Sequence, residues 1–211
     1  MVAHKVVSKA EGRLRRLSDV KPGARALALA TRLDKDARMV QVVLDESASV
    51  LRAERGVLVC ETRHGFICAN AGVDRSNAAT GDEVVLLPTD PDRSARELRA
   101  AISAATGARP GIVVSDSFGR AWRLGQTDVA IGAAGLRVLD DWRGRLDSAG
   151  RELRATAIAT ADSVAGAADL ARSKDARRPA VLVRGLGWLV SEADGPGAAA
   201  LRRPAAEDMF R

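Results

Sequence analysis

Apolar positions in this chain follow two rhythms that alternate along its length. Residues 24–33 (ARALALATRL) repeat alanine and leucine at helical spacing, which predicts a helix. Asp34 and Asp36 act as start signals for a second helix, with Val40, Val43, Leu44, Ser47 and Leu51 on one face and Gly56 at its end. Two short apolar runs follow, VLVCET (57–62) and GFICAN (65–70), and Arg63-His64 between them predicts a hairpin. Val6-Val7 and VVLLP (84–88) read as short strands. Asp90-Pro91-Asp92 opens a helix through SARELRAAISAAT, because proline fits a first turn and acids there suit the helix dipole; Gly107 ends it. GIVVSD (111–116) reads as a buried strand with a polar end. VAIG (129–132), LRVL (136–139), AVLVRGL (180–186) and GWLV (187–190) predict further strands. Residues 149–172 predict the longest helix, with Leu153, Ala157, Ala161, Val164 and Ala168 in line. Strands and helices interleave without a regular β-α-β period, so the expected class is α+β (mixed α/β) with partly antiparallel sheets. One domain is expected over 1–190, with 191–211 as its tail.

Composition narrows the choice of function. The 211 residues are 46% hydrophobic and 28% charged, enough to bury one core and to exclude disorder over the whole length. The net charge is +6 and the pI about 10.1. Residues 1–25 hold seven Lys/Arg against two acids, so the excess is local to the start of the chain. Arginine outnumbers lysine 28 to 5 beside 40 alanines, the mark of a base-composition bias rather than of a binding face. With no tyrosine and only three Phe and three Trp, the chain lacks the stacking platforms of single-strand nucleic-acid binders, and no nucleic-acid partner is expected. No apolar run reaches the ~20 residues of a membrane span, and no signal-peptide pattern opens the chain. Two cysteines give no disulfide framework, so a cytoplasmic, reducing setting is expected.

Two stretches carry candidate chemistry. In Ala69-Asn70-Ala71-Gly72-Val73-Asp74-Arg75-Ser76-Asn77, small residues after a strand let a ligand approach the backbone, while Asp74 and Asn77 offer hard oxygens and amide donors. The same residues also suit a surface turn with Asx hydrogen bonding. In Val114-Ser115-Asp116-Ser117-Phe118-Gly119-Arg120 and the following Trp122-Arg123, a strand runs into a carboxylate, hydroxyls and arginines. Asp116 beside Ser117 suits a magnesium-type ion that also touches phosphate. Arg120 and Arg123 are candidates to clamp phosphate or carboxylate, and their alternative is to cover apolar surface. Neither a P-loop nor a G-x-G-x-x-G is present. Cys60, His64 and Cys68 recur every four residues, but two strands around a turn need not converge them, and buried inert thiols are expected.

The blocks VVSKAEGR, HGFICANAGVDRSN, LLPTDPDRSA, VVSDSFGRAWRLGQTDVAIGAAGL and DWRGRLDSAGRELRAT occur in one order. In that order the chain resembles the coenzyme F-420-0:L-glutamate ligases, the gamma-glutamyl ligases of deazaflavin cofactor synthesis, from about residue 5 to the terminal EDMFR. The resemblance implies a homodimeric, GTP-dependent ligase with a divalent metal, magnesium or manganese, and potassium as a candidate monovalent cation. Its substrates are then L-glutamate and the deazaflavin coenzyme F-420-0, whose lactyl carboxylate is activated as an acyl phosphate before glutamate attacks. It further implies Asp74 and Asp116 as metal ligands, Ser117 at a second metal position, and Asn77, Lys5 and Lys9 as nucleotide contacts. The turn 172–179, with Ser173, Lys174 and Asp175, lies where the family closes over the nucleotide; Lys174-Asp175 stands where some members carry a glutamate ligand.

The chain also departs from the family pattern. Members usually begin a few dozen residues earlier, with a G-D-D-L-type motif, and His4 stands where they have serine. A start assigned too far downstream competes with a shortened, non-catalytic homologue that binds GTP or the deazaflavin. The intact Asp74 and Asp116 blocks favour the first. The expectation is that these 211 residues turn over poorly and tend to aggregate. Normal GTP-dependent glutamate ligation by these residues contradicts it.

Overall fold

A computed structural model describes residues 1–76, 81–172 and 177–209. In chain order the elements are β1 (Val2–Ala3), α1 (His4–Ala10), β2 (Leu14–Arg16), α2 (Ala24–Leu33), α3 (Ala37–Asp45), β3 (Ser47–Glu54), β4 (Val57–Thr62), β5 (Ile67–Ala69), β6 (Glu83–Val85), α4 (Pro91–Thr106), β7 (Ile112–Arg120), β8 (Arg123–Ala134), β9 (Asp140–Asp141), β10 (Ala157–Ile158) and α5 (Thr160–Leu170). The fold is α+β, as the alternation of patterns predicts. Contacts divide the chain into two units.

One unit comprises His4–Asp90, Phe118–Gln126 and Pro204–Arg211. Its sheets are β3-β4-β5, antiparallel throughout, and β2-β6, also antiparallel. Leu17, Leu33, Val40, Val43, Leu58, Cys60 and Val84 form its core. Asp36 caps α3 by accepting from the Arg38 backbone N–H at 2.9 Å. The Arg38 guanidinium also donates to this carboxyl, and these bonds hold its pKa down at about 2. Helix α3 is shorter than the spacing predicts. Ser47 Oγ donates back to the Val43 carbonyl at 2.6 Å, and the chain leaves the helix into β3. Ser47 and Leu51 match a helical face only by coincidence; pairing with β4 along the whole of β3 decides the outcome. Val6-Val7 likewise sit in α1, while the strand at the start of the chain is Val2–Ala3.

The other unit comprises Met1–Ala3, Pro91–Ser117 and Thr127–Arg203. Here β7 lies between β1, its parallel neighbour, and β8. Its core is small-grained: Val113, Ala130, Ala133, Val138, Ala161, Ala165, Ala168 and Ala198. Polar side chains of α4 anchor the segment 191–199. Asp92 accepts from the backbone N–H groups of Ala133, Ala198 and Ala199. The buried Arg99 guanidinium donates to the carbonyls of Pro110, Ser191 and Glu192 and pairs with Asp194 at 2.6 Å. Gly135, at φ +69°, is required there because a Cβ would lie 2.2 Å from Arg99.

Three expectations fail in this unit. Residues 149–159 are not helical. Asp147 accepts from the N–H groups of Ala149 and Arg151, turning the chain, and backbone bonds such as Leu153 N–H to Arg145 fold 140–158 back on itself as far as β9-β10. Local side-chain capping there outcompetes helix propensity. The longest helix is therefore α4, and α5 begins only at Thr160. LRVL (136–139) and 180–190 form isolated bridges, Leu136 to Val190 and Val2 to Ala180, rather than strands.

Replacing Arg99 with Met takes the side-chain donor from the half-buried Pro110 and Ser191 carbonyls and the partner from Asp194. The free energy of unfolding is expected to fall by about 3 kcal/mol in denaturant titration. A loss under about 0.5 kcal/mol, the size of an ordinary surface change, contradicts the anchoring role.

Candidate functional site

The Asp74 site is built by the backbone before any side chain contributes. Asn70, Ala71 and Gly72 all take positive φ (52°, 52° and 70°), turning the chain sharply after β5. Gly72 is required there, since a Cβ would lie 2.7 Å from the Leu87 side chain. Two residues on, Asp74 exchanges both backbone hydrogen bonds with Val85 of β6, at 3.0 and 2.8 Å, which fixes its Cα. The carboxylate accepts from the Ser76 N–H at 2.7 Å and the Ser76 hydroxyl at 2.9 Å, closing an Asx-type turn. Lys5, from α1, places Nζ 2.6 Å from Asp74 Oδ2 and 2.5 Å from Ser76 Oγ. The stretch therefore forms the Asx turn, and its carboxylate is paired with a lysine. Burial works to raise the Asp74 carboxyl, but hydrogen bonds from Lys5 and Ser76 outweigh it and set its pKa below the ordinary carboxylate value. Lys9 lies exposed in the last turn of α1.

The Asp116 site belongs to the other unit and sits within a strand. The spacing predicts a strand ending at 116, yet β7 runs on to Arg120, so Asp116 and Ser117 are consecutive strand residues whose side chains leave by opposite faces. Asp116 is half-buried, and its Oδ1 accepts from the Ser117 N–H at 2.8 Å. Ser117 Oγ lies 2.7 Å from Asp128 Oδ1, and Ser115, on the same face, lies 2.8 Å from Asp128 Oδ2. Arg172, just past α5, reaches that same Oδ2 at 2.5 Å; its Nε is a buried N–H with no hydrogen-bond partner among the described residues. Sequence reasoning passed over Ser76, Ser115, Asp128 and Arg172. Period-two spacing of Ser115 and Ser117 and a carboxylate entering the apolar run DVAIG were the available signals.

Arg120 and Arg123 are exposed at the tip of the β7–β8 hairpin, where Arg120 donates to the Leu124 carbonyl at 3.0 Å. Asn77, Ser173, Lys174 and Asp175 lie outside the described residues. Cys60 and Cys68 are buried cross-strand neighbours in β4 and β5, and burial lifts the Cys60 thiol above its usual pKa. His64 Nε2 donates to the carbonyls of Pro88 and Thr89 instead of joining them. Among the described residues no group of three or more His, Cys, Asp or Glu side chains is placed to hold a metal. The Asp74 site offers one carboxylate beside the Ser76 hydroxyl, and β7 offers the Asp116 carboxylate on one face and the Ser117 hydroxyl on the other. That donor chemistry fits magnesium, which takes one or two carboxylates and completes its shell with water and substrate phosphates. No helix among the described residues is long and apolar enough to cross a membrane.

An α+β chain with a carboxylate–hydroxyl pair beside a lysine in one unit and a half-buried strand carboxylate in the other has hard-oxygen donors of the kind found where phosphates are handled. The chain belongs to the F420-0:Gamma-glutamyl ligase family, whose model matches residues 1–185. It is 46% identical over its full length to the Coenzyme F420:L-glutamate ligase of Methanopyrus kandleri, covering 84% of that protein. The protein of the same name from Methanothermobacter thermautotrophicus is 42% identical, again over the full chain and 83% of the relative. That from Archaeoglobus fulgidus is 43% identical over 88% of this chain and 74% of its own length.

Lys5→Met removes the ammonium that offsets burial of Asp74. The Asp74 carboxyl is then expected to titrate higher than in the wild type, read by carboxyl-carbon NMR between pH 2 and about 6, the span around the ordinary value of about 3.9. An unchanged midpoint contradicts the Lys5–Asp74 pairing.

Proposed function

We propose that this chain is a GTP-dependent ligase that adds L-glutamate to the lactyl carboxylate of coenzyme F-420-0, and then gamma-linked glutamates. The observation that carries the reading is the placement of its donors: Asp74 with Ser76 and Lys5, and Asp116 with Ser117, are held in place by backbone and hydrogen bonds. Full-length similarity to proteins named for glutamate ligation to this coenzyme supports the substrate class.

Ligation at a carboxylate needs a leaving group. An oxygen of the lactyl carboxylate attacks the γ-phosphorus of GTP, the bond to the β–γ bridging oxygen breaks, and GDP departs. The glutamate amine then attacks the acyl carbon, loses a proton, and phosphate leaves with the carbon–oxygen bond. Both steps gather negative charge around phosphorus, so catalysis rests on positioning and charge neutralisation. Divalent ions, magnesium or manganese, would supply that neutralisation, with Asp74 and Asp116 as proposed ligands and Ser117 at a second metal position. Lys5 is placed beside Asp74 to receive phosphate oxygens, and Lys9 lies further along the same helix. Arg120 and Arg123 present guanidinium groups suited to a phosphate or to the glutamate carboxylate. Asn77, Ser173, Lys174 and Asp175 complete the proposed nucleotide contacts. A homodimer in the cytoplasm, with potassium as a further cation, belongs to the same reading.

Asp116→Ala should lower phosphate release from GTP, in the presence of glutamate, magnesium and the deazaflavin, by at least about 100-fold, the scale of losing one preorganised charge-stabilising group. Its circular dichroism spectrum should match that of the wild type. A folded variant retaining more than about a third of wild-type turnover, a loss far below that scale, overturns the assignment.

A further inference from the structure

The buried carboxylate of Asp128 has no place in the proposed chemistry, yet it is the hub of the polar cluster behind Ser117. It is 2% exposed, at the point where β8 enters the core. Both of its oxygens are engaged: Oδ1 by Ser117 Oγ at 2.7 Å, and Oδ2 by Ser115 Oγ at 2.8 Å and the Arg172 guanidinium at 2.5 Å. A carboxylate paired with a guanidinium only accepts hydrogen bonds, so each serine hydroxyl must donate its one hydrogen to it. That fixes the rotor of Ser117. With its hydrogen committed to Asp128, the Ser117 oxygen presents only lone pairs to any further partner, which is what a cation requires of a hydroxyl. Arg172 in turn links Asp128 to the chain that follows α5, and also contacts Asp169 at 3.3 Å.

We propose that Asp128 is a positioning residue that holds the Ser117 hydroxyl as a cation-facing oxygen and ties it, through Arg172, to the end of α5. The inference rests on the reading of Ser117 as a metal ligand and adds what orients it. Groups of this kind, hydrogen-bonded to a ligand, typically change metal affinity by about 10- to 100-fold when removed.

The test is manganese binding to the full chain, followed by electron paramagnetic resonance of free Mn²⁺, without nucleotide or turnover. Asp128→Asn presents an amide that can donate to Ser117 and reverse its hydroxyl; it should weaken binding by about 10-fold or more. Ser117→Ala should weaken it comparably, and the double variant no further than Ser117→Ala alone. Ser115→Ala removes one of the donors that hold Asp128 and should weaken binding severalfold with the fold intact. It decides the matter if Asp128→Asn fails to fold. If folded Asp128→Asn melts at a lower temperature but binds Mn²⁺ like the wild type while Ser117→Ala does not, Asp128 is only structural and the proposal is overturned. Wild-type affinity in Ser115→Ala, where Asp128→Asn does not fold, also overturns it. If Ser117→Ala itself binds like the wild type, the ligand reading of Ser117 fails, and the role of Asp128 falls with it.

Discussion

A core made largely of alanine imposes the constraint that governs the unit containing Asp116. Alanine buries little apolar area, so packing there offers less free energy and less shape to interlock than a core of leucine and phenylalanine. Buried polar side chains supply the missing definition. Asp92 and Arg99 of α4 take up the backbone of 191–199, Asp140 accepts the Trp142 indole N–H at 2.6 Å, and Asp128 gathers Ser115, Ser117 and Arg172. Each of these bonds is directional, so each fixes an orientation as well as a distance. Their loss is costly where the partner left behind is buried, as Ser115 is beside Asp128.

The same economy explains how candidate site residues are placed. Neither Asp74 nor Asp116 relies on a long flexible loop. Asp74 is set by a two-bond backbone bridge to Val85 after a turn that only Gly72 permits, and Asp116 and Ser117 are set by the strand that carries them. A site on regular backbone places its oxygens with little reorganisation, which is the condition for electrostatic catalysis. Strand geometry also sends the Asp116 and Ser117 side chains to opposite faces.

The sequence made some of this legible and concealed the rest for physical reasons. Helices 24–33 and 91–106 and strand 57–62 follow directly from periodicity and start signals. The failures fall where one residue pattern satisfies two structures. Ser47 and Leu51 keep helical spacing but lie in a strand because β4 is available to pair with. Residues 149–159 have helical composition but fold back because Asp147 caps a turn. At the sites, Asp74, Asp116 and Ser117 stand out as residue types and Lys5 only through the family resemblance; the Lys5–Asp74 contact is hidden, because nothing in the spacing brings two residues so far apart together. Asp128 is hidden because it stands one residue before the apolar run VAIG.

This family member is proposed to join glutamate to a deazaflavin carboxylate at the expense of GTP. The direct measurement is mass spectrometry of coenzyme F-420-0 after incubation with the chain, L-glutamate, GTP and magnesium. New species heavier by whole glutamyl residues are expected, formed only when glutamate, nucleotide and metal are all supplied. A coenzyme of unchanged mass, recovered from protein shown to be folded, contradicts it.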